Sequence, residues 1–270
     1  MAETPLHLLS FSPCGGTAEV NRALARDVDA ALVEQACTRA GVESEPFIYG
    51  PDDWVFLAFP VYGGRMPRNL DKVFARVEGN GARCALVAVY GNREYEGALL
   101  DLFAAASTKG FRPAAAVAAV AQHSLAPVVA AGRPDAKDRE LLAGFGARIV
   151  AAMREGAVLA KAPGAYPEWK LPKGASLFPV TDGENCVGCG QCAALCPAGA
   201  ISAADLTATD TSACIVCAAC AKYCPTGARQ MGTPESREKL AHHLLTAAAR
   251  RKEPELWLGG APGKADSGEP

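Results

Sequence analysis

From Met1 to about Gly156, short apolar runs alternate with longer stretches of helical periodicity. Leu6–Phe11 reads as a buried strand. Thr17–Ala40 reads as a helix with Val20, Leu24, Val28, Ala31 and Leu32 on one face and Gly41 at its end. Phe47–Tyr49 is a weaker second strand and Trp54–Phe59 a strong third. A short helix over Asn69–Val77 leads to a fourth strand, Cys84–Tyr90. Another helix covers Gly97–Lys109, and a fifth apolar segment runs from Arg112 to Ala121. Pro134-Asp135 opens a last helix that ends near Arg154. Unbroken apolar strands separated by helices predict a parallel sheet covered on both faces. The expected fold class is α/β, a five-stranded doubly wound parallel sheet of order 2-1-3-4-5, rather than a barrel of eight.

The pattern then breaks. Residues 157–179 carry Pro163, Pro167, Pro172 and Pro179 with Gly164 and Gly174, and read as a linker packed through Tyr166 and Trp169. Pro234–Lys252 reads as one helix with Thr233 as N-cap, followed by a frayed tail. The expected division is 1–156, a linker at 157–179, a cysteine-rich domain at 180–233, and a C-terminal helix and tail at 234–270. A net charge of −2, with 27 basic against 29 acidic residues, gives no basic excess for nucleic acid. The Ala/Val run Ala114–Ala121 is too short to span a bilayer. The first residues lack a secretory pattern, so a cytoplasmic location is expected.

Eight of the 11 cysteines fall between Cys186 and Cys224. Cys186, Cys189, Cys192 and Cys196-Pro197 have the spacing C-x2-C-x2-C-x3-C-P. Cys214, Cys217, Cys220 and Cys224-Pro225 repeat it at an offset of 28, and the repeat extends to Gly199/Gly227 and Ala200/Ala228. Three cysteines two residues apart on a tight loop suit three irons of one cube, while the fourth, followed by Pro, turns to the other cube. Cys186, Cys189, Cys192 and Cys224 are thereby assigned to a first cluster, and Cys214, Cys217, Cys220 and Cys196 to a second. Zinc explains neither the third Cys nor the trailing Pro. The segment resembles bacterial two-cluster ferredoxins, which implies two 4Fe–4S clusters on a pseudo-twofold α+β scaffold.

Three loops follow strands that meet at the switch point of the expected sheet, where ligands of open α/β sheets bind. The first, Ser12-Pro13-Cys14-Gly15-Gly16-Thr17, is a hydroxyl- and glycine-rich turn entering a helix, a place for a phosphate. It lacks both the triphosphate and the dinucleotide glycine fingerprints. The second is Pro60-Val61-Tyr62-Gly63-Gly64-Arg65 and the third Tyr90-Gly91-Asn92-Arg93-Glu94-Tyr95, with aromatics suited to stacking on a flat ring. The first loop resembles the S-x-T-G-x-T phosphate loop of the flavodoxin superfamily, with Cys14 in place of Thr. Over residues 5–232 the chain resembles flavodoxin–ferredoxin fusion proteins of the EFR-type ferredoxin family. That resemblance implies FMN, its phosphate held by Ser12, Cys14, Gly15, Gly16 and Thr17. The ring would be lined by Pro60, Val61, Tyr62, Gly63, Gly64, Tyr90, Gly91, Asn92 and Tyr95.

The expected function is electron transfer between two 4Fe–4S clusters and FMN, coupling one-electron to two-electron chemistry. Two alternatives stand beside it: an FMN-dependent reductase of a small, quinone-like acceptor, and a ferredoxin-type carrier with an empty flavodoxin-like docking domain. No paired carboxylates or nucleophile–base set marks a catalytic residue. The expected partner is a redox protein or a small-molecule acceptor, with no nucleic acid or membrane, and a homodimer as an allowed assembly.

Overall fold

The first strand, β1 (Leu6–Ser10), carries Leu6, Leu8 and Leu9 and is buried at four of its five positions, between β4 and the edge strand of the sheet. The computed structural model describes residues 4–38, 45–166 and 177–260. After β1 come α1 (Gly16–Ala25), β2 (Leu32–Ala36), β3 (Phe47–Ile48), β4 (Trp54–Pro60), α2 (Leu70–Phe74), β5 (Val77–Glu78) and β6 (Arg83–Tyr90). They are followed by α3 (Ala98–Thr108), β7 (Arg112–Val120) and α4 (Ala136–Arg154). The cysteine segment contributes β8 (Pro179–Thr181), α5 (Gln191–Ala194), α6 (Ala219–Lys222) and β9 (Arg229–Met231). The chain then forms α7 (Pro234–Ala247) and β10 (Glu255–Leu258).

The main sheet has the order β10-β7-β6-β4-β1-β2. Five of its strands are parallel neighbours, and β10 pairs antiparallel with β7, Trp257 opposite Ala116. Without β10 this is the doubly wound 2-1-3-4-5 order. Helices α1 and α4 cover one face, packing Val20, Leu24 and Ile149 onto Leu8, Phe56 and Val87. Helices α2 and α3 cover the other, packing Val73, Leu99 and Leu102 onto Leu9, Leu57 and Leu86.

Several expectations change. The helix expected over Thr17–Ala40 ends at Ala25, and Leu32, placed on its apolar face, instead begins β2. That strand is an exposed edge carrying Glu34 and Gln35, so it lacks the apolar run that betrays a central strand. Phe47–Ile48 is no member of the main sheet; it pairs with β5, in what was expected to be the end of a helix over Asn69–Val77. The sheet gains a sixth strand from the C-terminal segment. The helix expected over Pro234–Lys252 stops at Ala247, with the Thr233 side chain accepting from Ser236 N–H as its cap. Leu159 and Ala162, inside the expected linker, are buried in the sheet's core, and Tyr166 stacks under Arg65 at 4.5 Å. Trp169 and the last ten residues lie outside the described residues.

Candidate iron–sulfur sites and the module seam

The sequence repeat is also a backbone repeat. Positive φ recurs at the same offset: Gly188 (66°) and Val216 (57°), Gly190 (72°) and Ala218 (69°), Gly199 (63°) and Gly227 (69°). Gly190 and Ala218 are the left-handed residues that open α5 and α6. Each short helix starts from a turn that curls the preceding cysteines around one point. Strands β8 and β9 pair antiparallel and clamp the two ends of the segment together.

Two cavities result. Cys186, Cys189, Cys192 and Cys224 line one; Cys196, Cys214, Cys217 and Cys220 line the other. The sets are interleaved along the chain, because each final cysteine lines the cavity of the opposite repeat. The donor chemistry suits an iron–sulfur cube. Four thiols surround each space, and main-chain N–H groups already point at sulfur: Ala200 N donates to Cys196 Sγ at 3.2 Å and Arg229 N to Cys224 Sγ at 3.4 Å. Burial acts upward on the Cys224 thiol, but hydrogen bonds from Arg229 N–H, Thr226 and Ala228 outweigh it and hold the thiol below its ordinary value.

The two cavities differ in depth. Cys214, Cys217 and Cys220 are each 8% exposed, and burial pushes their thiols up. Cys189 is exposed and its neighbour Val187 is 67% exposed. The deeper set sits against the carboxyl edge of the sheet. Ile215, Cys217 and Ala219 belong to the same apolar core as Leu9, Leu57 and Leu86.

Polar contacts across this seam converge on the deeper set. Cys14 Sγ–H donates to Cys217 O at 3.1 Å, Asn69 Nδ2 donates to Pro197 O at 3.3 Å, and Arg68 donates to Cys214 O. In the other direction, Lys222 Nζ donates to Cys14 O at 2.7 Å. Cys14, read from the sequence as a lost hydroxyl, is therefore a hydrogen-bond donor to the second repeat. Burial is the main cause that pushes its thiol up to about 11, against the pull of Lys222, so it stays protonated and is no reactive thiolate.

The three expected flavin loops do share one edge, but their side chains are heavily engaged. Ser12 Oγ accepts from Ala18 N–H at 3.0 Å, and Gly15, Gly16 and Thr17 open α1 without a side-chain cap. Gly97 N, at the start of α3, donates to Gly64 O at 2.9 Å, tying the second loop to that helix, while Pro60 ends β4 and Val61 N bonds Val89 O. Tyr62 packs against the core near Cys14 and Cys217, and burial raises its phenol well above its ordinary value. Gly63 is exposed. Gly91 packs on the His123 ring. Asn92 turns away: its Nδ2 donates to Ala248 O and Arg250 O, and its Oδ1 accepts from Lys252 N and Arg133. Tyr95 packs edge-on between Tyr90 and Trp257. The edge is thus roofed by the second cysteine repeat on one side and by residues 248–257 on the other. His123 Nδ1 accepts from Leu125 N–H and Ala126 N–H, and burial, then Arg93, lowers its pKa to about 4. Arg65 is tied to Asp101 at 2.7 Å.

The 4Fe–4S binding domain family matches residues 179–202 and 208–230, one match for each repeat. The chain joins a flavodoxin-like α/β module to a two-repeat 4Fe–4S ferredoxin region. The 2-1-3-4-5 order of its parallel strands makes the first module flavodoxin-like. Solved structures similar over this part include a flavodoxin of Streptococcus pneumonia TIGR4 (17% identity, 55% of this chain and 97% of that one, TM-score 0.36). A flavodoxin from the domain Archaea is similar at 12% identity over 56% of this chain and 99% of that one, TM-score 0.39. An azoreductase from Bacillus anthracis str. Sterne is similar at 11% over 56% and 99%, TM-score 0.33. No curated protein matches the sequence. No helix among the described residues is long and apolar enough to cross a membrane.

Sequence reasoning missed Arg68, Asn69, Lys222 and Arg229. For the first three no local signal exists, since their roles come from the seam. Arg229 had one: it breaks the internal repeat, whose first copy has Ile201 at the matching position.

Proposed function

We propose that the chain is an electron-transfer protein that passes electrons between two 4Fe–4S clusters and FMN. The observation that carries this reading is the seam: the deeper cysteine set lies directly on the sheet edge to which FMN is assigned. When bound, the cubes exchange single electrons and the flavin one or two.

Cys186, Cys189, Cys192 and Cys224 hold the first cluster near the surface, within reach of a redox partner. Cys196, Cys214, Cys217 and Cys220 hold the second out of water. Cys14, Arg68, Asn69 and Lys222 fix the second set on the α/β module, so the separation of the centres does not depend on a tether. The backbone at Gly15, Gly16 and Thr17 binds the FMN phosphate. Tyr62, Gly63, Gly64, Tyr90, Gly91 and Tyr95 border the ring. Cys14 and Asn92 contribute main chain alone, because their side chains are engaged. Ligand thiolates need a reducing compartment such as the cytoplasm.

The roof over the edge favours a carrier serving a protein partner over a reductase of small acceptors, which needs an open flavin face. Anaerobic isolation with metal analysis and acid-extracted flavin tests the whole reading. The expected composition is about eight irons and one FMN per chain. Zinc in place of iron would remove both clusters. Iron without flavin, even after FMN is supplied, would leave a two-cluster carrier on an empty docking module.

A further inference from the structure

The loop that opens α1 has donors to spare and too little charge. Gly15 N donates to Ser12 O at 3.3 Å and Ala18 N to Ser12 Oγ at 3.0 Å. The N–H groups of Cys14, Gly16 and Thr17 donate to no acceptor among the described residues. Thr17 is 5% exposed, and its hydroxyl forms no hydrogen bond among them either. A buried hydroxyl and three unpaired N–H groups at a helix start need an acceptor. The Cys14 side chain adds nothing, because its Sγ–H is committed to Cys217 O. The helix end supplies about half an elementary charge, whereas a phosphate monoester carries about −1.5 to −2. Most of that charge is unmatched by the loop alone. Glu19, the acidic residue of the first turn, is paired with Arg139.

A cation stands at this loop, and it comes from the cysteine region. Lys222 is the last residue of α6, and its Nζ donates to Cys14 O at 2.7 Å. An ammonium has three donors, so two remain for an anion. Lys222 is exposed, and no carboxylate forms an ion pair with it among the described residues. Its Nζ lies 5.5 Å from the centre of the Tyr223 ring. Tyr223 borders the same loop, since a Cβ on Gly15 would stand 3.6 Å from its Oη. The ammonium and the phenol occur only in the repeat that meets the sheet edge. Ala194 and Leu195 hold the matching positions in the first repeat.

We propose that Lys222 is the cation of the FMN phosphate site, so that the phosphate is held across the seam: by Thr17 and the free N–H groups of the loop from one module, and by Lys222 from the other. The inference rests on the assignment of FMN to this edge. It makes Lys222 a specificity-determining residue, because riboflavin offers the same ring without the phosphate and gains nothing from the ammonium. It also links flavin binding to the seating of the cysteine region, since a ligand that touches both modules stabilises them in contact.

The test is anaerobic equilibrium dialysis of the iron-loaded full chain, freed of flavin, against FMN and against riboflavin. Lys222→Gln is expected to weaken FMN binding about tenfold or more, as loss of a charge-assisted hydrogen bond does, and to leave riboflavin binding unchanged. Lys222→Arg is expected to keep most of the preference for FMN. Equal losses for the two flavins would mean that Lys222 serves the seam alone and would overturn the proposal, as would unchanged FMN binding. If Lys222→Gln does not load iron, acetylation of unsubstituted protein with acetic anhydride decides. FMN is expected to protect Lys222 where riboflavin does not, with the exposed Lys72 as reference; equal labelling of Lys222 with either flavin overturns the proposal. Unsubstituted protein that binds both flavins equally well would defeat this inference and leave the flavin assignment standing. Unsubstituted protein that binds neither would sink that assignment, and this inference with it.

Discussion

Individual residues here take their roles from what faces them, and Cys196 is the plainest case. It is four residues from Cys192, yet it lines the cavity of the second repeat, whose other three thiols lie from Cys214 onward. Cys196→Ala is expected to abolish or convert the second cluster and leave the first. EPR of the reduced protein checks this, and loss of the first signal alone would reverse the assignment. Ala218 shows the same dependence on setting. It holds a left-handed φ of 69° where the first repeat uses Gly190, a conformation that disfavours Ala by roughly 1–2 kcal/mol. The surrounding packing holds it there, since Ala218 is buried beside Ile201 and Met231.

At the scale of elements, the fold depends on close approach between helices and on protecting the sheet's edges. Gly146 in α4 faces α1 so closely that a Cβ would lie 1.7 Å from Leu24 O, and the obstacle is backbone, not a movable side chain. Gly146→Ala must push the two helices apart. The expected cost is about 1–3 kcal/mol, the usual range for overpacking, read as a lower denaturation midpoint with little change in the slope. The far edge is protected differently. Strand β10 covers β7, and the chain leading to it is pinned by a buried group of polar residues: Arg133 pairs with Asp138 at 2.8 Å, Arg251 reaches the same carboxylate, and Asn92 holds Arg250 and Lys252. The unbroken apolar runs of the central strands announce none of this, because short or exposed strands such as β2 and β10 are stabilised by pairing rather than by burial.

For the whole molecule, the question is how far the cysteine region shares the stability of the sheet. Its own apolar contacts are small, with Ile201, Ala218, Cys220 and Met231 at their centre. Bound clusters would therefore supply much of its folding energy. The sheet has an apolar core on each face, one of them joined by Ile215, Cys217 and Ala219 of the cysteine region and the other built without that region. Anaerobic chelation of iron is thus expected to expose amides of residues 179–231 to hydrogen exchange, while β4, β6 and β7 stay protected. Uniform loss of protection would mean that the two modules unfold as one unit. The loops at the seam, Ser12–Thr17 and Tyr62–Asn69, are expected to show intermediate protection, since part of their hydrogen bonding crosses to the cysteine region.

The doubly wound order and the repeated 4Fe–4S cysteine spacing were legible from sequence, for one physical reason. Both are local periodicities: unbroken apolar runs that tolerate only a parallel sheet's interior, and a thiol spacing that suits one cluster geometry. The end of the first helix, the edge strand Leu32–Ala36 and the sixth strand Glu255–Leu258 were not, because pairing across long chain separations decides them. Tertiary structure alone decided that Cys14 donates to Cys217, that Asn92 turns to the C-terminal segment, and that the buried Arg229 donates to Thr181 and Leu206. Hydrogen bonds between residues tens to hundreds of positions apart leave no period in the sequence. They exist only once the chain has folded and set those groups face to face.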